Sequence, residues 1–263
     1  MADIPASLVK QLRERTGAGM MDCKRALEEA NGDLEAAERL LAEKGIARAA
    51  KRSGRETTEG KVAIELDETV AAMVAVGCET EPVSNNDEFL VFVQRVLDAV
   101  GQHGPQAAAE LDEERVALVA KLGENIVVRD AVRFEGEDGD VLSGYVHTPA
   151  RKIGVLVRGR GNPNVARELA QHISWTDPLY LSLADVPEAE VNAEREILAK
   201  QPDVAEKPAE VQGKMIEGRI QKWLSERALL DQAWIHDESK KVGGVLQEAG
   251  FEVIDFRRFA LAE

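Results

Sequence analysis

Apolar positions along the chain change period several times, and each change marks a predicted element. From Leu8 to Leu27 the spacing is helical. Leu8 and Leu12 lie on one side of a first helix, Lys10, Arg13, Glu14 and Arg15 on its wet side, and the Met20-Met21 pair opens a second. Gly17 and Gly19 permit the sharp turn between them. Asn31-Gly32 is a helix-stop signal, and Asp33 is placed to cap a third helix with the stripe Leu34, Ala37, Leu40 and Leu41. The pattern then fades. Residues 47–59 read as a linker of small and charged residues, ending between Gly54 and Gly60. From there the period is two. Val62, Ile64 and Leu66 alternate with polar neighbours, Asp67-Glu68 is a turn, and the almost wholly apolar run Val70 to Val76 is an interior strand. Residues 80–86 break regular structure. Asp87 is placed to cap a helix with Phe89, Phe92, Val93, Val96 and Val100 on one face, and Gly101 to Gly104 end it. A helix over Leu111 to Leu122 and a strand over Ile126 to Phe134 follow.

The same order then returns. Val141 to His147 and Ile153 to Val157 make a second strand pair, Gly159, Gly161 and Pro163 break the chain, and Asn164 is placed to cap a helix bearing Val165, Leu169 and Ile173. The two hairpin-then-helix units lie about 80 residues apart, which predicts a duplicated α+β core. Prolines 178, 187, 202 and 208 punctuate two helical stretches, Glu188 to Lys200 and Ala209 to Arg227, the second with Val211, Met215, Trp223 and Leu224 near one stripe. They predict a helical hairpin inserted at about residues 187–227. Ser239 precedes a short helix over Val242 to Ala249, Gly250 stops it, and Phe251 to Phe259 is a closing strand. The fold class is α+β, in the order bundle (residues 1–46), linker (47–59), first core subdomain (60–139) and second core subdomain (140–263).

Composition narrows the function. The 263 residues carry a net charge of −15, yet residues 1–55 hold 11 Lys and Arg against nine Asp and Glu, so the acidity lies in the core. Such a body repels a phosphate backbone, and 4% aromatic residues supply no stacking platform, so direct nucleic-acid binding is not expected. The start Met-Ala-Asp-Ile-Pro-Ala-Ser has no signal-peptide pattern, and no apolar run nears the ~18 residues that would span a membrane, so a cytoplasmic protein without membrane contact is expected. Cys23 and Cys78 are lone thiols, neither a disulfide framework nor a zinc site.

Catalytic patterns are absent. There is no phosphate-cradling GxxxxGK loop, no GxGxxG after a strand and no GxSxG elbow. His103, His147, His172 and His236 are scattered without metal-ligand spacing. Ile216-Glu217-Gly218-Arg219 matches a protease tag by chance and reads as native helix. No cofactor and no metal are expected, and the chain reads as a protein that acts by binding another rather than as an enzyme.

Residues Leu8 to Leu27 closely resemble the N-terminal signature of the elongation factor Ts family, the guanine-nucleotide exchange factors of elongation factor Tu. Glu113 to Asn125, Arg151 to Val157 and Met215 to Arg219 continue the resemblance along nearly the whole chain. It implies that the N-terminal bundle is of the ubiquitin-associated type and docks on the nucleotide-binding domain of elongation factor Tu, in its GDP-bound and nucleotide-free states. It implies that the two-part core loosens the nucleotide and that the hairpin projects from the second half. Some family members self-associate through the core, which leaves a homodimer open.

The family's Mg²⁺-displacing loop reads Thr-Asp-Phe-Val, and the matching positions here are Thr80, Glu81, Pro82 and Val83. Pro82 replaces an aromatic wedge with a smaller apolar volume, and Glu81 lengthens the carboxylate by a methylene. The resemblance assigns partner contacts to Met20, Lys24, Leu122, Gly123, His147 and Ile235 as well. From the residues alone, plainer readings stand beside these: core packing for Met20, solvated surface for Lys24, a Gly stop after a buried Leu122, a satisfied polar residue at His147, a core anchor at Trp234 beside Ile235, and a strand-to-helix turn capped by Asn85-Asn86-Asp87 for residues 80–86. The basic positions Arg48, Lys51, Arg52 and Arg55 read as a solvated tether or as a strip facing an acidic patch. The altered loop also admits a non-catalytic adaptor or chaperone-like module that binds elongation factor Tu or another protein.

Overall fold

The computed structural model describes residues 4–261. Helices α1 (Ala6–Thr16), α2 (Met20–Glu29) and α3 (Leu34–Arg52) bury Val9, Leu12, Cys23, Ala26, Leu27 and Ala37 against one another. Asp33 caps α3 as expected, its carboxylate accepting from Ala36 N at 3.1 Å. The expected linker, however, is helical as far as Arg52. The reason is tertiary. Ala49 packs into the core of the first sheet module, and Gly45 lies so close to that module that an added Cβ would sit 3.4 Å from Ala120 Cβ.

Strands β1 (Glu59–Leu66) and β2 (Val70–Cys78) form an antiparallel hairpin. A single turn, α4 (Glu81–Ser84), leads into α5 (Asp87–His103). Asn86, not Asp87, caps α5: its Oδ1 accepts from Glu88 N at 2.9 Å and Phe89 N at 3.3 Å, which places Asp87 inside the first turn where its charge suits the helix dipole. After a 3₁₀ segment over Pro105–Leu111, α6 (Asp112–Leu122) ends on Gly123, and β3 (Ile126–Glu135) returns to pair with β2. The second module repeats this. Strands β4 (Asp140–Val146) and β5 (Ile153–Gly161) pair, and α7 (Pro163–Thr176) follows, capped by Asn162 rather than Asn164. Gly159 does not break β5. The Phe251 ring covers it where a side chain would stand, so the strand runs on to Gly161.

The hairpin comes next: α8 (Glu188–Ala199), the single turn α9 (Pro202–Ala205) and α10 (Ala209–Arg227). Its small core holds Leu198, Val204 and Ile220. Val211 is exposed, and Trp223 is covered by the Arg227 guanidinium, 4.2 Å from the ring centroid. The short strands β6 (Ala233–Trp234) and β7 (Asp237–Lys241) were not foreseen, because β7 is wholly exposed and polar and has no apolar alternation to read. Ser239 lies within β7. Helix α11 (Val242–Ala249), ended by Gly250, and β8 (Phe251–Ala260) complete the second sheet.

Among the described residues the main sheets are β1-β2-β3 and β4-β5-β8, both antiparallel, and in each the last strand adds to the middle one. In each the last strand carries an extra residue, Arg129 on β3 and Ile254 on β8, opposite the same place in two nine-residue middle strands, between Ala75 and Val76 and between Arg158 and Gly159. The duplication is therefore real at the level of topology, and the hairpin sits where the first module has only its 3₁₀ segment. The sheets pack face to face. Val62, Ala71, Met73 and Ala75 meet Leu156, while Val74, Val76 and Cys78 face α5 and α6, and Val155 and Val157 face α7 and α11. Burial on both faces explains why Val70 to Val76 is apolar without alternation. Among the described residues no helix is long and apolar enough to cross a membrane.

Candidate functional site

Residues 80–86 are more ordered than a break in structure. Thr80 is extended, and the one-turn helix α4 carries Pro82 in its first turn, where a missing N–H costs nothing. Glu81 and Pro82 are exposed, while Val83 rests on the first core. The turn is tied to the end of α6. Glu124 Oε2 accepts from Glu79 N at 3.1 Å and Thr80 N at 3.0 Å, and its Oε1 accepts from the Thr80 hydroxyl at 2.5 Å. Glu79 reciprocates: its carboxylate accepts from Asn125 N at 2.7 Å and pairs with Arg55 at 3.2 Å. Asn125 Nδ2 in turn donates to Arg55 O at 2.9 Å. Burial alone would raise the Glu79 pKa, but the Asn125 N–H and the Arg55 guanidinium outweigh it and hold it below the usual carboxylate range.

Gly123 makes this geometry accessible. It sits in the left-handed region at φ 78°, its N–H closes on Val119 O at 3.0 Å, and the chain turns so that Glu124 reaches the end of β2. Leu122 is half-buried beside it. Cys78 lies beneath the turn, its thiol donating to Thr80 O at 3.3 Å. Burial, aided by the Glu124 charge, pushes its pKa up to about 12, so it is a packed thiol and not a nucleophile.

His147 comes to the same end of the first sheet. The turn that follows it docks on β1: Lys61 Nζ donates to Ala150 O at 3.1 Å, Val62 N to Arg151 O at 2.7 Å, and Lys152 pairs with Glu59 at 2.5 Å. Lys61 is buried, and burial followed by the Arg151 charge pushes its pKa down. His147 itself is exposed, with Nδ1 3.2 Å from the Tyr145 hydroxyl.

Met20 is 50% and Met21 63% exposed, which rules out core packing for Met20. Lys24 is an exposed neighbour, 3.8 Å from Glu28. The elbow between α1 and α2 leans on the core, since a Cβ on Gly17 would stand 3.0 Å from Lys121 Nζ, itself paired with Glu88. Ile235 does not join this group. It lies in the second module, where its N–H donates to His172 Nδ1 at 3.3 Å beside the buried Trp234. The structure thus gathers the Thr80–Val83 turn, Leu122–Gly123 and the His147 turn, and leaves Ile235 apart. Sequence reasoning missed Glu79 and the contacts that tie it to Glu124, Asn125 and Arg55, which span 24 to 70 positions and leave no periodic trace. Among the described residues no group of three or more His, Cys, Asp or Glu could hold a metal ion.

The elongation factor TS family model matches residues 79–263, starting on Glu79 at the foot of this turn. Elongation factor Ts of Thioalkalivibrio sulfidiphilus is 42% identical over 273 residues, covering 99% of this chain and 92% of its own. Those of Marinobacter nauticus and Salmonella newport are 39% and 41% identical, covering all of this chain and 92% and 93% of theirs. This chain belongs to the elongation factor Ts family. Its role is accordingly that of an elongation factor in protein biosynthesis. The curated elongation factor Ts relatives extend across the N-terminal helices as well as the core, so the bundle is part of the shared unit.

Proposed function

We propose that the chain is a guanine-nucleotide exchange factor that binds GDP-loaded elongation factor Tu, disturbs its Mg²⁺ and phosphate site and speeds GDP release. The observation that carries this reading is the exposed Glu81-Pro82 turn, anchored on Glu124 and standing at the loop position of the elongation factor Ts family. In this reading Met20 and Lys24 dock the bundle on the nucleotide-binding domain. The Thr80–Val83 turn, Leu122, Gly123 and His147 act at the nucleotide side, and Ile235 faces the partner's third domain. No covalent step is required. A factor that binds the nucleotide-free partner better than its GDP complex must, by reciprocity, be weakened by GDP to the same degree that it weakens GDP. GTP then displaces the factor.

The test loads elongation factor Tu with a fluorescent GDP and adds this protein at substoichiometric amounts. Faster release with turnover is expected. Complex formation without acceleration would leave only the adaptor reading, which Pro82 in place of an aromatic favours. A second experiment addresses that departure. Pro82→Phe restores the larger wedge and adds apolar contact area, an effect of about 1 kcal/mol or roughly fivefold faster GDP release. An unchanged or slower rate would show that the turn does not act as a wedge.

A further inference from the structure

We infer that Glu124 is a positioning residue for the exchange turn, its carboxylate holding Glu79 and Thr80 so that Glu81 and Pro82 are presented in one pose. The inference rests on the exchange reading above and names how the turn is held.

Strand β2 satisfies its backbone on both sides as far as Cys78, which pairs with Glu59 and Ile126. The next two N–H groups, of Glu79 and Thr80, have left the ladder, and one carboxylate oxygen of Glu124 takes both. The other takes the Thr80 hydroxyl. Glu124 therefore stands in for a neighbouring strand just where the chain leaves the sheet. Helix α4 cannot hold its own pose, because a single turn fixes several dihedrals for very few hydrogen bonds. On its far side it has Ser84 N to Thr80 O at 3.1 Å, the Asn85 bonds to Glu81 O at 3.1 and 3.2 Å, and the Val83 side chain in the core. On its near side it has Glu124. The Glu79 bond to Asn125 N runs the opposite way between the same two segments, so each segment gives a carboxylate and receives one. Charge-assisted bonds of this kind are short and directional. A turn ordered before the partner arrives need not be ordered on binding, and such preorganisation is recovered where the turn acts.

The consequence is a division of labour. Docking through Met20 and Lys24 sets how much partner is captured, and Glu124 sets what the captured turn does. Glu124→Ala should lower the maximal rate of GDP release roughly 10-fold while the half-saturating concentration of GDP-loaded elongation factor Tu stays within about twofold. Glu124→Gln keeps an oxygen for the two N–H groups and should recover most of the loss. Amide hydrogen exchange on the whole protein should show Glu79 and Thr80 deprotected in Glu124→Ala, with Val74 and Val76 unchanged. In a Glu81→Ala, Pro82→Gly background, Glu124→Ala should lower the maximal rate no further, whereas a defect of folding would add.

Retained protection at Glu79 and Thr80, an unchanged maximal rate, or a full additive loss in the altered background would each overturn the assignment. Should Glu124→Ala not fold, Thr80→Val, which removes the hydroxyl bond to Glu124, carries the comparison with Glu124→Gln as the near-unaffected control: it should lower the maximal rate and deprotect Thr80, and an unchanged rate with retained protection would overturn the assignment. If the unsubstituted protein itself fails to speed GDP release, the exchange reading falls, and the exchange-protection arm still decides whether Glu124 holds the turn.

Discussion

Gly154→Val should lower the melting temperature by roughly 10 °C, an overpacking cost of about 3 kcal/mol. Gly154 lies on β5 and faces the first sheet. A Cβ there would overlap Val62 Cγ1 and stand 3.0 Å from Met73 Sδ, and both of those residues are fully buried. Met73 is flexible, but Val62 is stiff about χ1 and its Cγ1 is enclosed in the seam, so the clash is relieved only by repacking between the two sheets. Gly144 plays the same part less severely, since its Cβ would meet Ile64 and Leu156 at 3.2 Å. Thermal unfolding followed by circular dichroism reads the effect directly. A drop of less than about 2 °C would mean that the sheets have slack at this contact, contrary to close packing in a protein interior. Because the turn after His147 bonds across to β1, that repacking should also loosen the surface that gathers His147 and Thr80.

The second large effect lies in the other core. Trp234→Ala should cost about 3–5 kcal/mol, measured as a lower urea midpoint at unchanged slope. Trp234 is 4% exposed, and its ring stacks on His172 at 5.2 Å between centroids and 17° between planes. His172 is fully buried. Its Nδ1 accepts from Ile235 N, so its Nε2 carries the proton and donates to Gln232 Oε1 at 2.9 Å. Burial pushes its pKa down, consistent with a neutral ring. Gln232 Nε2 then donates to Glu226 O at 2.6 Å, at the end of α10. Removing the indole leaves this chain of bonds beside a cavity, and the β6–β7 turn at Ile235 loses the ring next to it. A loss below about 1 kcal/mol would place Trp234 among surface contacts rather than core anchors.

The glycine at 154 also shows where sequence reading reaches its limit. The periodicity of Val62, Ile64 and Leu66 and the caps at Asp33 and Gly250 are local, and local physics suffices to read them: side chains repeat every two or 3.6 residues, and a cap bonds within three positions of itself. Where two neighbours competed for one cap, at Asn86-Asp87 and at Asn162-Pro163-Asn164, the spacing put it one or two residues late, because the choice depends on which backbone is already helical. Helix α3 outran its expected end because Ala49 found a partner on another element. Strand β7 was invisible because no side chain on it is buried.

The α+β class, the order of elements, the duplicated hairpin-and-helix unit, the inserted helices and the family were all legible in the sequence. Each of these is carried by identity or by short-range period. Only the tertiary structure decided that the sheets face each other through Gly154, that Met20 is outside the core, and that His147, Leu122 and Thr80 share one end of a sheet while Ile235 does not. Only it brought Glu124 to Thr80, 44 positions away. A carboxylate that bonds the backbone of a distant strand end obeys distance and angle, not spacing along the chain, and no pattern of residue types records it.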